Sequence, residues 1–143
     1  MEKSLLKMSV SASGTGTQFV VALNDQVLWS GDPGQDACEI AHEFDDSDGI
    51  DYQLTLTMSG KTAGHTVLDH AGAIAQDLLV TVHSLSIDSD NVMPVFQKLA
   101  QYQHNFNGTG PDTTDKFYGT MGCNGQVVLH FNSPSYIWLL ENI

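Results

Sequence analysis

Apolar and polar residues alternate along much of this chain, with the two-residue period that is typical of strands with one buried face. The most regular example is residues 52–58, where Tyr, Leu, Leu and Met alternate with Gln and Thr. Such alternation predicts strands in antiparallel sheets, each with one face in a core. Further strands are predicted at residues 19–23, 27–29, 40–44, 78–87, 102–106, 127–131 and 136–140.

In the strand predicted over residues 78–87, the alternation of apolar and polar residues shifts by one position part of the way along. Its apolar residues fall on even positions up to Val82 and on odd positions from Leu85 onward. One extra residue near His83–Ser84 would return both halves to the same face. We therefore predict a β-bulge at this point.

Turn-forming residues separate the apolar runs and set the predicted fold. Asn24–Gln26 makes a short hairpin connection, and Gly, Asn and Asp recur at the other junctions. Helical spacing is seen in residues 93–101, where Pro94 suits a first helical turn, although an irregular crossing between sheets is an alternative. We predict an all-β fold, an antiparallel two-sheet sandwich or jelly roll with at most one short helix, in a single domain over residues 1–143.

Charge narrows the possible functions. The chain has 143 residues, with seventeen Asp and Glu against five Lys and no Arg, so its net charge is −12. Nucleic-acid binding and chemistry on phosphates both depend on Lys and Arg in number, and we exclude them. No run reaches the roughly 18 apolar residues of a membrane helix, and the start lacks a secretory signal. We expect a soluble protein of the reducing cytosol, or of a particle assembled there, with Cys38 and Cys123 as free buried thiols.

The densest acidic segment is residues 45–51, where repulsion between carboxylates would favour a hard cation such as Ca²⁺. Its spacing is not that of an EF-hand. The candidate calcium ligands are Asp46, Asp48 and Asp51, and the alternative is a solvated hairpin tip. A smaller acidic cluster lies at residues 88–91, and convergence of the two segments at one end of the sandwich would favour calcium.

A second group, His65, Asp69 and His70, is a candidate transition-metal trio. It lacks the spacing of zinc hydrolases. The alternative is structural, with His65 bonded to a backbone carbonyl and Asp69 holding a turn.

Signs of catalysis are weak throughout the sequence. There is no Gly-x-Ser-x-Gly nucleophile elbow, and neither cysteine has an activating neighbour. We therefore predict that the protein is not an enzyme. Most aromatic residues belong to apolar strand faces, so Trp29 and Tyr118 are the candidates for exposed rings that stack on a sugar.

A resemblance to a known family is carried by the segments Gly60–Lys61, His104–Gly108, Asp115–Gly119, Met121–Gly125 and Ser133–Asn142. Through these segments, residues 50–143 resemble small virion-associated proteins of tailed bacteriophages of aquatic bacteria. This family offers no catalytic residue to carry over. A looser resemblance, in size, strand pattern and the acidic segment 45–51, is to calcium-dependent xylan-binding modules, which are jelly rolls.

The first resemblance implies a non-enzymatic virion protein that decorates the capsid or forms part of the tail, neck or fibre. Its partners would be other virion proteins and copies of itself. The alternative is a calcium-dependent carbohydrate-binding module that attaches to a surface glycan of the host. The last apolar run must be a core strand or an assembly contact, and the candidate interface residues in it are Tyr136, Trp138 and Leu140.

Overall fold

A computed structural model describes residues 2–143 of the chain, and it consists mostly of antiparallel strands. Two short helices accompany them, α1 (Met93–Leu99) and α2 (Ser135–Asn142), together with a 3-10 turn at Ala63–His65. The strands are β1 (Lys3–Ala12), β2 (Gln18–Leu23), β3 (Gln26–Gly31), β4 (Cys38–Asp45), β5 (Asp51–Ser59), β6 (Val67–Leu68), β7 (Ile74–Gln76), β8 (Val80–Ile87), β9 (Asp90–Asn91), β10 (Gln101–His104), β11 (Thr113–Lys116), β12 (Thr120–Met121) and β13 (Gly125–Asn132).

The strands form two main sheets, which confirms the predicted all-β two-sheet sandwich. One sheet has the order β12-β8-β1-β4, with β9 paired to β8, and the other has the order β11-β10-β13-β5-β2-β3. The short strands β6 and β7 form a separate hairpin. We call the main sheets the five-stranded and the six-stranded sheet.

The core lies between the two sheets, as the alternating pattern requires. Leu54, Leu56 and Leu129 of the six-stranded sheet are at most 2% exposed, and Met8 and Val10 of the five-stranded sheet are fully buried. Each such side chain contributes about 1.5–3 kcal/mol through its burial. The interior is therefore continuous from one sheet to the other.

Strand β1 lies between β4 and β8, although it is not among the predicted strands. Its residues Leu6, Met8, Val10 and Ala12 are all buried. They show the same two-residue period as the other strands, so the signal for this strand was present in the sequence.

The bulge in β8 is confirmed. Ser9 of β1 pairs with Ser84, and the next residue, Val10, pairs with Val82. His83 is therefore the extra residue, and it lies exposed on the outer side of the sheet. Its Nε2 is 2.6 Å from the hydroxyl oxygen of Ser11.

The helix predicted over residues 93–101 is confirmed as α1, which begins at Met93 and carries Pro94 in its first turn. By contrast, the strand predicted over residues 136–140 is wrong, because this segment forms α2. The chain thus has two short helices where at most one was predicted. Neither α1 nor α2, within the described range 2–143, is long and apolar enough to cross a membrane.

Two smaller predictions also need correction. Strand β10 ends at His104, because Phe106 and Asn107 adopt left-handed backbone angles with φ of 57° and 59°. The thiols of Cys38 and Cys123 are free, as predicted, but they are partly buried instead of fully buried.

Candidate functional site

Acidic side chains gather at one end of the sandwich, which we call the acidic end. Because neighbouring strands run antiparallel, β1 and β5 begin at this end while β4, β8 and β13 end there. Helix α2 follows β13 and also begins at this end. The two acidic segments of the sequence therefore meet, as the calcium hypothesis anticipated. The carboxylates of this end include Glu2, Asp25, Asp45, Asp46, Asp48, Asp51, Asp88 and Asp90.

A cleft of about 320 Å³ opens at the acidic end, beside α2. Its walls combine carboxylates and one lysine, Lys3, with apolar side chains and one aromatic ring. Asp88 also fixes the start of β1, because its Oδ1 accepts a hydrogen bond of 2.8 Å from the Leu5 amide. The lining includes Glu2, Asp46, Ile87, Asp88, Asp90, Tyr136 and Leu139.

Asp46 is the most deeply buried of these carboxylates, at 5% exposure. Its Oδ1 accepts a hydrogen bond of 2.7 Å from the Ser135 amide, and its Oδ2 accepts bonds of 2.6 Å from the hydroxyls of Ser135 and Ser4. The Ser135 amide is one of the N–H groups that a helix leaves without an internal partner at its start. A negative charge at this position also interacts favourably with the helix dipole. Asp46 thus joins β1, the β4–β5 loop and α2.

The other candidate calcium ligands, Asp48 and Asp51, lie exposed to solvent. Next to them Asp45 accepts two hydrogen bonds from Ser47, which lower the pKa of its carboxyl group. Among residues 2–143, no three His, Cys, Asp or Glu side chains lie close enough to hold a metal ion. A calcium ion at this end would need backbone carbonyls and water as further ligands, which Ca²⁺ accepts readily. The calcium site stays a prediction.

Helix α2 divides the predicted interface residues between two environments. Trp138 is 6% exposed and its ring lies 5.6 Å from the ring of Phe131, in the core. Tyr136 and Leu140 are one helical turn apart and project into solvent. We call four exposed residues the α2 apolar face: Tyr136 (57% exposed), Ile137 (40%), Leu140 (69%) and Ile143 (81%).

An ion pair between a buried lysine and a partly buried aspartate fixes the loops at the opposite end of the sandwich. The Lys61 side chain is 3% exposed, and its Nζ lies 2.6 Å from Asp77 Oδ1 and donates to the Gly122 carbonyl at 2.6 Å. Burial raises the pKa of Asp77, but hydrogen bonds from Lys61 and Thr66 outweigh this effect and lower it. No sequence pattern indicates that Lys61 and Asp77 form a pair.

In the candidate trio, His65 and Asp69 have structural roles, while His70 lies exposed. His65 Nδ1 accepts a hydrogen bond of 2.9 Å from the Thr62 amide, so its backbone partner is an amide and not the predicted carbonyl. Asp69 Oδ1 accepts bonds from the amides of Ala71 and Ala73, which confirms that it holds a turn. This turn connects β6 to β7.

The two aromatic residues proposed for sugar stacking differ in exposure. Tyr118 is 72% exposed. Trp29 is only partly exposed, because it packs on the inner side of the six-stranded sheet with its ring 6.3 Å from that of Phe19. The two rings therefore do not form a shared platform for a sugar chain.

Comparison of the chain with protein-family models, with curated proteins and with solved structures finds no match.

Proposed function

We propose that this protein is a non-enzymatic structural component of a bacteriophage virion. It either decorates the capsid or forms part of the tail, neck or fibre apparatus. It acts by protein–protein assembly, with other virion proteins and copies of itself as partners. The observation that supports this proposal is the α2 apolar face, where three large apolar side chains of one short helix, and that of Ile143 directly after it, project into solvent.

Exposed apolar side chains grouped in this way are typical of interaction surfaces. The α2 apolar face adjoins the acidic cleft, and Tyr136 belongs to both. An apolar centre with a polar rim is the usual arrangement in protein interfaces, and tyrosine is enriched among the residues that dominate their binding energy. We therefore assign Tyr136 and Leu140 to the interface and Trp138 to the support of the helix beneath it.

The net charge of −12 also supports a position on the outside of a particle. A chain without arginine and with this charge is repelled by the phosphates of packaged DNA. Its acidic end can remain hydrated while the α2 apolar face contacts a neighbouring subunit.

The proposal is tested on phage particles purified by density gradient. Mass spectrometry of the particles should detect the chain, and Leu140→Asp should remove it from them while leaving its melting temperature unchanged. The matched control is Leu68→Asp, because Leu68 is also exposed (57%) but lies in the β6–β7 hairpin. Absence of the unmodified chain from the particles, or normal incorporation of Leu140→Asp, would contradict the proposal.

A calcium-dependent carbohydrate-binding module is the second candidate, and one observation favours it. Asp46 from one acidic segment and Asp88 and Asp90 from the other line the same cleft. Bound calcium would stabilise the folded state, so a chelator should lower the melting temperature and added calcium should restore it. An unchanged melting temperature, together with no binding on a glycan array in calcium, would eliminate this candidate.

A further inference from the structure

The outer face of the six-stranded sheet differs from the rest of the surface in its charge. On β13, β5 and β2, the outward positions carry Gln, Thr, Ser, Val, Ala, Asn and His, and the charged exception is Asp51 at the first residue of β5. The centre of this surface, which we call the neutral face, consists of Val20, Ala22, Thr55, Thr57, Gln126 and Val128.

The strand register arranges these residues in two rows across the sheet. Val128 pairs with Thr55, which pairs with Ala22. In the adjacent row, Gln126 pairs with Thr57, and Thr57 pairs with Val20. The first row is apolar apart from the threonine hydroxyl, although Val128 is only 9% exposed, and it lies beside a row that can form hydrogen bonds.

We propose that the neutral face binds a second copy of this chain, face to face about a two-fold axis. Two molecules of charge −12 repel each other wherever their carboxylates approach. Contact through the acidic end would bring carboxylates together. Contact through the outer face of the five-stranded sheet would bury Lys7 and Glu39, which form an exposed ion pair of 3.8 Å, whereas the neutral face has no charged side chain to remove from water. When two copies meet through the neutral face, their five-stranded sheets lie on the far sides of the dimer. The distance between these two sheets exceeds the roughly 10 Å that separates packed sheets, which is about one Debye length, so the charges on them interact weakly.

The size of the surface also suits a second copy. Strands β10, β13, β5, β2 and β3 have 4, 8, 9, 6 and 6 residues. With about 3.3 Å per residue and about 4.8 Å between strands, they cover roughly 500 Å² in projection. Two copies would then bury roughly 1,000 Å², which reaches the lower limit for a specific interface. We therefore expect a reversible dimer whose population depends on concentration.

A sugar chain fits this surface less well than a second copy. Flat sugar-binding faces rely on exposed aromatic rings, whereas the two central rows contain none. Trp29 pairs with the buried Val21 and therefore lies on the inner side of the sheet. In a two-fold contact, by comparison, the Gln and Thr side chains of one copy meet the same types in the other.

The experiment is sedimentation equilibrium of the full chain over a range of concentrations, with Thr57→Glu as the variant. Thr57→Glu adds a negative charge near the two-fold axis of the contact, so it should weaken the dimer by about tenfold or more. The control is Thr81→Glu, because Thr81 has comparable partial burial on the outer side of β8. It should leave the dissociation constant unchanged, and so should Leu140→Asp, which tests the α2 apolar face separately.

A second pair of variants addresses the possibility that Thr57→Glu impairs folding. Under oxidising conditions Thr57→Cys should form a disulfide between two copies at low protein concentration, whereas Thr81→Cys should not. Raising the salt from about 0.15 M to about 1 M should strengthen the dimer, because the remaining repulsion is screened. A chain that stays monomeric at all concentrations, or a dimer lost in Leu140→Asp and kept in Thr57→Glu, would overturn this assignment.

Discussion

At the scale of single residues, buried polar side chains hold the loops of this protein to its two sheets. Asp46 accepts hydrogen bonds from Ser4 and Ser135, and Lys61 binds Asp77 and the Gly122 carbonyl. Each of these groups would destabilise the fold if it were buried without its partners. The partners are therefore as important to the fold as the buried groups themselves.

Replacement of Asp46 by alanine tests its structural role. Asp46→Ala leaves the Ser135 amide and two hydroxyls without their acceptor, so we expect the free energy of unfolding to fall by about 1–3 kcal/mol. Asp48→Ala is the matched control, and for this exposed residue a change within about 0.5 kcal/mol is expected. Urea denaturation measures the free energy of unfolding of both variants. Equal losses in the two variants would show that the hydrogen bonds of Asp46 do not stabilise the contact between β1, the β4–β5 loop and α2.

Tyr102 gives the protein a predicted sensitivity to alkaline pH. Burial raises the pKa of its hydroxyl from 10 to about 12, while the group donates to the Cys123 carbonyl and accepts from the Cys123 amide at 2.8 Å. A raised pKa in the folded state means that the neutral tyrosine stabilises the fold below pH 10. This stabilisation is lost as the pH rises from 10 towards 12.

The alkaline loss is measured by urea denaturation at a series of pH values from 9 to 12. Tyr102→Phe should make the loss smaller without abolishing it, because the pKa of Tyr52 is also raised, chiefly by burial. The control is Tyr118→Phe, since Tyr118 is exposed. If Tyr102→Phe and the unmodified chain lose stability in parallel, Tyr102 is not a source of the effect.

The residue pairs also show the limit of prediction from this sequence. The turn held by Asp69 was predictable because its partners, Ala71 and Ala73, are local. Asp46 and Ser135 are 89 residues apart, and Lys61 and Gly122 are 61 apart. Nothing in the local sequence around either member indicates the other, so these contacts become visible only in the folded chain.

At the scale of elements, the two-residue period predicted most of the long strands and the bulge at His83. It failed for α2 because residues 136–140 are apolar at every position, and such a run has neither a strand period nor a helical one. The start of this helix depends instead on Pro134 and on the distant Asp46. For β1 the period was present, so that strand was predictable.

Substitutions within α2 distinguish a helix from a strand. In the helix Trp138 is in the core while Tyr136 is exposed, whereas in a strand the two would share one face. Trp138→Ala should therefore lower the free energy of unfolding by about 3–5 kcal/mol. Tyr136→Ala should change it by less than about 0.5 kcal/mol. Similar losses for both variants would contradict the helical arrangement.

At the scale of the whole molecule, folding separates the charge of −12 into distinct regions. The acidic segments around residues 46 and 88 meet at one end, while β13, β5 and β2 combine their uncharged positions into the neutral face. The composition alone indicated an acidic protein and led us to expect that it has no nucleic-acid partner. The register between paired strands determines which surfaces are free of charge. The sequence pattern does not specify this register when the strands are far apart along the chain, so the neutral face could not be predicted.

The central proposal is that the protein assembles into a virion through the α2 apolar face. The most direct test is an electron-microscopy reconstruction of the phage particle at a resolution that traces the chain. We predict density for the sandwich on the outside of the particle, with Tyr136 and Leu140 buried against a neighbouring subunit. A reconstruction in which the chain is present but these two side chains face solvent, or in which the chain is missing, would contradict the proposal.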